Sequence, residues 1–344
     1  MLSGFVLSTR YEQTIWTNQN LKKYLIARMV RILPAYWIAT STAFGVIAIG
    51  LLMFGMDFFE IIAGRISIYM FALPDDISLA CLASNALAHA FLIQTFLGTK
   101  LCGGAFLINP PLWSAAIEMW IYFLFPLVLR LVWKIGRHGT VCLSICILVL
   151  VDAIYVNVFI NLADQSVWAS VVWSVHFNPL VRLLELTLGV LLGRLWSLTG
   201  GFNPKQGGRM SMLCLFVFLI CWGTFLFKTV GYTTSYWLSA TVLPWAFIAL
   251  TLMLYASTFF KNSRGGFASW CANISFIIYC THWCLMELFA LLGLKGTLIS
   301  IWGPWPAILS CLAFVILLSQ IIAKLERLLS RRLKSTLLDI FHAR

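Results

Sequence analysis

The feature that most constrains this chain is a run of ten apolar stretches, each about 14 to 23 residues long, separated by short polar and basic connectors. None of them shows the period-two alternation of a barrel strand. A backbone in lipid has no water to bond its N–H and C=O groups, so a segment of this length must pair them internally as a helix. Composition agrees: of 344 residues 61% are hydrophobic and 10% charged, against roughly 25% charged in an ordinary soluble domain. The fold class expected is an all-α, polytopic transmembrane bundle of about ten spans.

The spans are expected near 33–54, 58–73, 84–98, 112–134, 140–161, 178–196, 211–229, 237–259, 272–293 and 301–323. The second and third are the shortest, and Arg65 falls within the second. Residues 1–323 read as a single membrane domain and 324–344 as a basic tail suited to anionic headgroups. The opening Met1–Ser8 is too short for a span and reads as the tail of a helix that begins upstream.

The net charge of +12 does not indicate nucleic acid, because the basic residues sit between apolar stretches. They act as topology signals. With ten spans and 10–32 in the cytoplasm, nineteen Lys and Arg lie on the cytoplasmic side and three (Lys100, Lys228, Lys295) on the other. Dropping one of the two short spans reverses everything after it and leaves eight inside against fourteen outside. The bias therefore requires an even number of crossings in that region and places the Arg28/Arg31 end and the C-terminus in the cytoplasm. The ten cysteines lie mostly within apolar segments, without the spacing of a disulfide framework. Cys280, His282 and Cys284 resemble a metal cluster in one dimension only. On a helix the two thiols share a face and the imidazole points away, so packing thiols and no metal are expected.

Ionisable residues within membrane segments are costly and mark candidate sites. Arg28 and Arg31, three apart at the entrance to the first full span, suit bidentate capture of phosphate; by spacing alone, ordinary cytoplasmic anchoring is the readier explanation. Glu118 lies one turn before Tyr122 in an apolar helix and serves as a general base, a ligand for an acceptor hydroxyl, or an ion-pair partner. Arg182 and Glu185 have the spacing of a structural ion pair. His282 is a catalytic candidate or an interhelical hydrogen-bonder. His89 and Asp152 read as packing residues.

Four segments in order then resemble the acyltransferase-3 family. They are Ser3-Gly4-Phe5 followed by Arg28-x-x-Arg31-Ile32-x-Pro34-x-Tyr36; Leu112-Trp113-Ser114 leading to Glu118 and Tyr122; Asn178-Pro179 with Arg182, Glu185, Gly189 and Gly193; and Ile274-Ser275-Phe276 leading to Tyr279 and His282. The resemblance implies a membrane enzyme that moves an acyl group, commonly acetyl, from acyl-CoA to a hydroxyl of a glycan, glycolipid or secondary metabolite. It also implies that Arg28 and Arg31 recognise the acyl-CoA donor. The expected partners are the bilayer, the donor and a hydroxyl-bearing acceptor of carbohydrate type. Two departures accompany it. The family's catalytic histidine belongs to a helix before the Ser-Gly-Phe segment, where this sequence opens. Ala115, Ala116 and Met119 stand where the family has Leu, Ser and Glu. Glu118 and His282 are then the catalytic candidates left in the membrane, beside His89. A catalytically inactive truncated homologue and a glycolipid transporter are the alternative readings.

Overall fold

Lipid as solvent predicts helices, and among the described residues of the computed structural model every regular element is one. The structure describes residues 2–55, 57–58, 78–97, 107–162, 177–200 and 266–342. Within them the elements are α1 (Leu2–Tyr11), α2 (Asn18–Phe54), α3 (Leu79–Ala90), α4 (Gln94–Leu97), α5 (Leu112–Trp133), α6 (His138–Leu162), α7 (Pro179–Leu198), α8 (Gly266–Leu291), α9 (Leu294–Trp302) and α10 (Pro304–His342). Among the described residues four segments are long and apolar enough to cross a membrane: Asn18–Phe54, Leu112–Trp133, Ile274–Leu291 and Pro304–Ile340. The helices gather into two compact units, residues 1–21 with 121–265 and residues 22–120 with 266–344.

In the first unit α1 lies on α7, and two glycines explain how closely. A β-carbon on Gly4 would collide with the Leu186 carbonyl, and one on Gly193 would collide with the Ser8 hydroxyl. Small residues let membrane helices approach backbone to backbone where no hydrophobic force drives them together. Phe5 then meets Trp196 edge-on at 5.9 Å between ring centroids. The start of α7 is capped from the sequence itself. Asn178 Oδ1 accepts from the Leu180 N–H at 2.9 Å, and Pro179 occupies the first turn, where a missing N–H costs nothing. The expected ion pair forms within the helix, Arg182 to Glu185 at 2.6 Å. Near its other end Arg194 donates to the Ile135 carbonyl at 3.0 Å and lies over the Trp133 ring.

In the second unit α2 serves as a ruler. Ala35 packs with Ile277 of α8 and Ala323 of α10. Further along, Ala43, Val46 and Ile47 pack with Cys284 and Leu291 of α8. Helix α8 therefore runs parallel to α2. Helix α10 runs antiparallel to it: Ser330 donates to the Val30 carbonyl at 3.1 Å, and Lys334 and Leu338 face Lys23 and Ala27. Helices α8 and α10 are fastened by Thr281 and Ser319, 3.2 Å apart, and by Phe289 against Phe314.

The same ruler locates the segment expected to span at 84–98. Cys81 lies in the cluster of Ala43, Val46 and Ile47, whereas Gln94 reaches Tyr36. Leu107 and Ile108 are back in the first cluster. Seven to eleven residues of α2 separate the two levels, about 10–16 Å at the helical rise, or a third to a half of a hydrocarbon core of roughly 30 Å. Helix α3 stops at Ala90, and Leu92 takes φ +57°, a left-handed conformation that ends a helix. Among the described residues the stretch is therefore a twelve-residue helix, a break and a four-residue helix, not one continuous helix. The expected spans at 58–73, 211–229 and 237–259 fall essentially outside the described residues. Residues 324–342 are not a separate tail but the continuation of α10. The cysteine reading also needs one correction: Cys81 is half of a disulfide, whose other half lies outside the described residues. Sequence spacing misses it because the pairing depends on which segments fold back together.

Candidate active site

A layer of buried polar side chains crosses the second unit at the depth of Tyr36. Asn85, His89, Gln94, Thr95 and Asn109 are all fully buried. Such groups are tolerated only when hydrogen-bonded, and their bonds tie four segments together. Gln94 Nε2 donates to the Tyr36 hydroxyl at 2.8 Å, fixing α4 to α2. Trp120 Nε1 donates to the Leu92 carbonyl at 3.0 Å, and the Thr95 hydroxyl donates to the Trp113 carbonyl at 3.4 Å, fixing the break after α3 to α5. Asn109 Nδ2 donates to the Cys280 carbonyl at 2.9 Å, and Ser114 Oγ meets the Tyr279 hydroxyl at 2.6 Å, fixing α5 to α8.

The catalytic candidates flank the last of these contacts. Glu118 is one turn after Ser114, half-buried, and within electrostatic range of Tyr279 and Cys280. His282 is one turn after Tyr279, with its ring 6.1 Å from the phenol ring. Its Nδ1 donates back to the Tyr279 carbonyl at 2.8 Å and lies 3.2 Å from that of Ile278. Cys280 and Cys284 are buried free thiols on one face of α8. Glu287 accepts from Trp283 Nε1 at 2.7 Å.

Toward the start of α2 the two arginines part company. Arg28 is 7% exposed and lies over the Tyr24 ring at 5.5 Å, a cation–π contact one turn back. Arg31 is exposed. It continues the stripe Lys23, Ala27, Arg31 at four-residue spacing, which a helix stacks on one face. Lys23 and Ala27 line a cavity of about 330 Å³ with Ile26, Val30, Lys334 and Leu338. One lysine from each helix and four apolar side chains thus frame a space one turn from Arg31.

The segments that carry Arg28, Arg31, Tyr36, Ser114, Glu118, Tyr279 and His282 are those that resemble a family in the sequence. The acyltransferase-3 family, described as an acyltransferase domain, matches residues 1–324. The chain belongs to the acyltransferase-3 family. No curated protein and no solved structure gives a significant match. Family membership and the apolar helices make it a membrane acyltransferase in the general sense. The family segments divide by role in this structure. Ser3-Gly4-Phe5 and the Gly-bearing α7 supply the α1–α7 contact in the first unit. The Arg-x-x-Arg helix, the Trp-Ser helix through Glu118, and the Tyr-x-x-His helix meet in the second unit. Sequence reasoning left His89 as packing and passed over Gln94 and Asn109. Their signal was present as polar residues in apolar stretches, but their partners are far apart in the chain.

Proposed function

We propose that this acyltransferase takes its acyl group from an acyl-CoA bound at the Arg28/Arg31 end of α2 and delivers it to a hydroxyl, of carbohydrate type, in the polar layer around Tyr36. The observation that carries the reading is the cavity between α2 and α10. Its lysines Lys23 and Lys334, with Arg31 one turn away, suit a polyanion, and its apolar lining (Ile26, Ala27, Val30, Leu338) suits the uncharged arm that follows the phosphates of such a donor. Arg28, buried one stripe over, holds a cation on the inner side of the same helix. Glu118 and His282 line the part of the layer built by Ser114 and Tyr279, a carboxylate and an imidazole on either side of a hydroxyl pair.

The orientation follows from the same end of the molecule. Helices α2 and α10 bring Lys23, Arg31, Lys334 and the basic continuation of α10 together, and we assign that end to the cytoplasm, where acyl-CoA is made. Phe58, Cys81, Leu107 and Ile108 share one cluster. We therefore count no net crossing between 58 and 108, which agrees with the even number that the charge bias supports. The assignment also puts Cys81 toward the far side, where disulfides persist.

The test is acetyl-CoA binding and release of free CoA by the purified full chain in lipid nanodiscs. Donor binding that is unchanged in Arg28→Ala with Arg31→Ala would overturn the clamp.

A further inference from the structure

The cavity between α2 and α10 is framed by two cations that no described residue neutralises. Lys23 and Lys334 line it from opposite helices, with Ile26, Ala27, Val30 and Leu338 around them. Both lysines are exposed, and neither takes part in an ion pair or hydrogen bond among the described residues. The acids of the same stretch do not relieve them. Glu326 accepts from Ser330 within α10, and Asp339 forms no ion pair among the described residues. Two like charges on facing helices repel unless an anion lies between them, and a lysine is a compact point charge of the kind that suits a phosphate.

Position along α2 says which phosphate. Acyl-CoA carries its groups in a fixed order: a 3′-phosphate on the ribose, a diphosphate, then a pantetheine arm that ends in the thioester. The helix has an order too, from Lys23 to Arg31 to the polar layer at Tyr36. Eight residues separate Lys23 from Arg31, about 12 Å, and five more lead to Tyr36, about 7–8 Å. The pantetheine arm has roughly thirteen bonds between diphosphate and sulfur, as many as about four residues of extended chain, and reaches about 15 Å. From Arg31 it spans the distance to Tyr36. From Lys23 it falls short of the roughly 20 Å required. The diphosphate therefore belongs near Arg31, and the remaining phosphate at the lysines.

We infer that Lys23 and Lys334 form a subsite for the 3′-phosphate of the donor, which makes the end of α10 a specificity element of the enzyme. The inference rests on the acyl-CoA reading and reaches past the family match. That match ends at residue 324, whereas Lys334 and Leu338 lie on the continuation of α10. One wall of the cavity is thus supplied by a stretch outside the matched residues. Ser330, donating to the Val30 carbonyl at 3.1 Å, holds that wall against α2, and Lys334 follows one turn later on the same side of the helix.

The experiment titrates the full chain, in nanodiscs of zwitterionic phosphatidylcholine, with acetyl-CoA and with 3′-dephospho-acetyl-CoA. The unsubstituted protein binds acetyl-CoA about tenfold more tightly of the two. Lys23→Ala and Lys334→Ala each weaken acetyl-CoA about fivefold and leave 3′-dephospho-acetyl-CoA within about twofold, with melting temperature unchanged because both side chains are exposed. Lys334→Arg keeps the preference. Arg31→Ala weakens both nucleotides alike, since both carry the diphosphate. Lysine variants that weaken both alike, or an unsubstituted protein that does not tell the two apart, overturn the subsite and leave the donor reading standing. Failure of the unsubstituted chain to bind acetyl-CoA at all overturns the donor reading and the subsite with it. A second arm adds phosphatidylglycerol to the nanodiscs. Lysine effects that appear only in its presence assign the cavity to a lipid headgroup and sink the proposal.

Discussion

Gln94 Nε2 donates to the Tyr36 hydroxyl across 2.8 Å, joining a four-residue helix to the most buried tyrosine of α2. This bond holds the segment after the α3 break at the depth of Tyr36 on α2. Both side chains are fully buried, so removing either partner strands the other. Gln94→Leu and Tyr36→Phe are each expected to lower stability by about 1–3 kcal/mol. The double substitution should cost less than the sum, because it removes both polar groups. Thermal unfolding of the detergent-solubilised protein, followed by tryptophan fluorescence, gives all four corners of the cycle.

Arg28 and Arg31 should separate in two assays. Arg31→Ala removes an exposed cation next to the α2–α10 cavity and is expected to weaken acetyl-CoA binding about tenfold with no change in melting temperature. Arg28→Ala also removes a buried cation held over Tyr24, so it should lower both affinity and melting temperature. Titration calorimetry beside a thermal melt reads the difference. Equal thermal stability of the two variants would contradict the burial described.

The α1–α7 contact predicts an order of damage. Gly4→Ala drives a methyl into the Leu186 backbone carbonyl, which cannot rotate away, whereas Gly193→Ala meets first the Ser8 hydroxyl. Gly4→Ala should cost about 1–3 kcal/mol, and Gly193→Ala less. The yield of monodisperse protein on gel filtration, together with melting temperature, ranks them.

Cysteine labelling checks the disulfide. In SDS without reductant, iodoacetamide should modify Cys142, Cys146, Cys271, Cys280, Cys284 and Cys311, which are free thiols. Cys81 should react only after reduction. Peptide mass spectrometry before and after reductant resolves the two populations, and direct labelling of Cys81 would exclude the bond.

Several features were legible without a structure because they are local. The helices at 112–133, 138–162 and 179–198 lie within two residues of the expected spans, since unbroken apolar length is enough to require a helix in lipid. Asn178-Pro179 announces a capped start, and Arg182 with Glu185 announces an ion pair, because both depend on neighbours within one turn. The break inside the span expected at 84–98 was not legible, for the complementary reason. Its hydropathy is that of a short span, and the break at Leu92 is held by Trp120, Thr95 and Gln94 reaching residues far along the chain.

The sequence by itself determined that this chain is a helical membrane protein of the acyltransferase-3 type, because apolar length and motif order are written residue by residue. Tertiary structure alone decided what those residues do for one another. It buried Arg28 and exposed Arg31, although the two are three apart on one helix. It gave the Ser-Gly-Phe segment to helix packing and assembled Tyr36, Gln94, Asn109, Ser114 and Tyr279 into one layer. Hydrogen bonds between distant segments form only once backbone and side chains have been brought to the same depth.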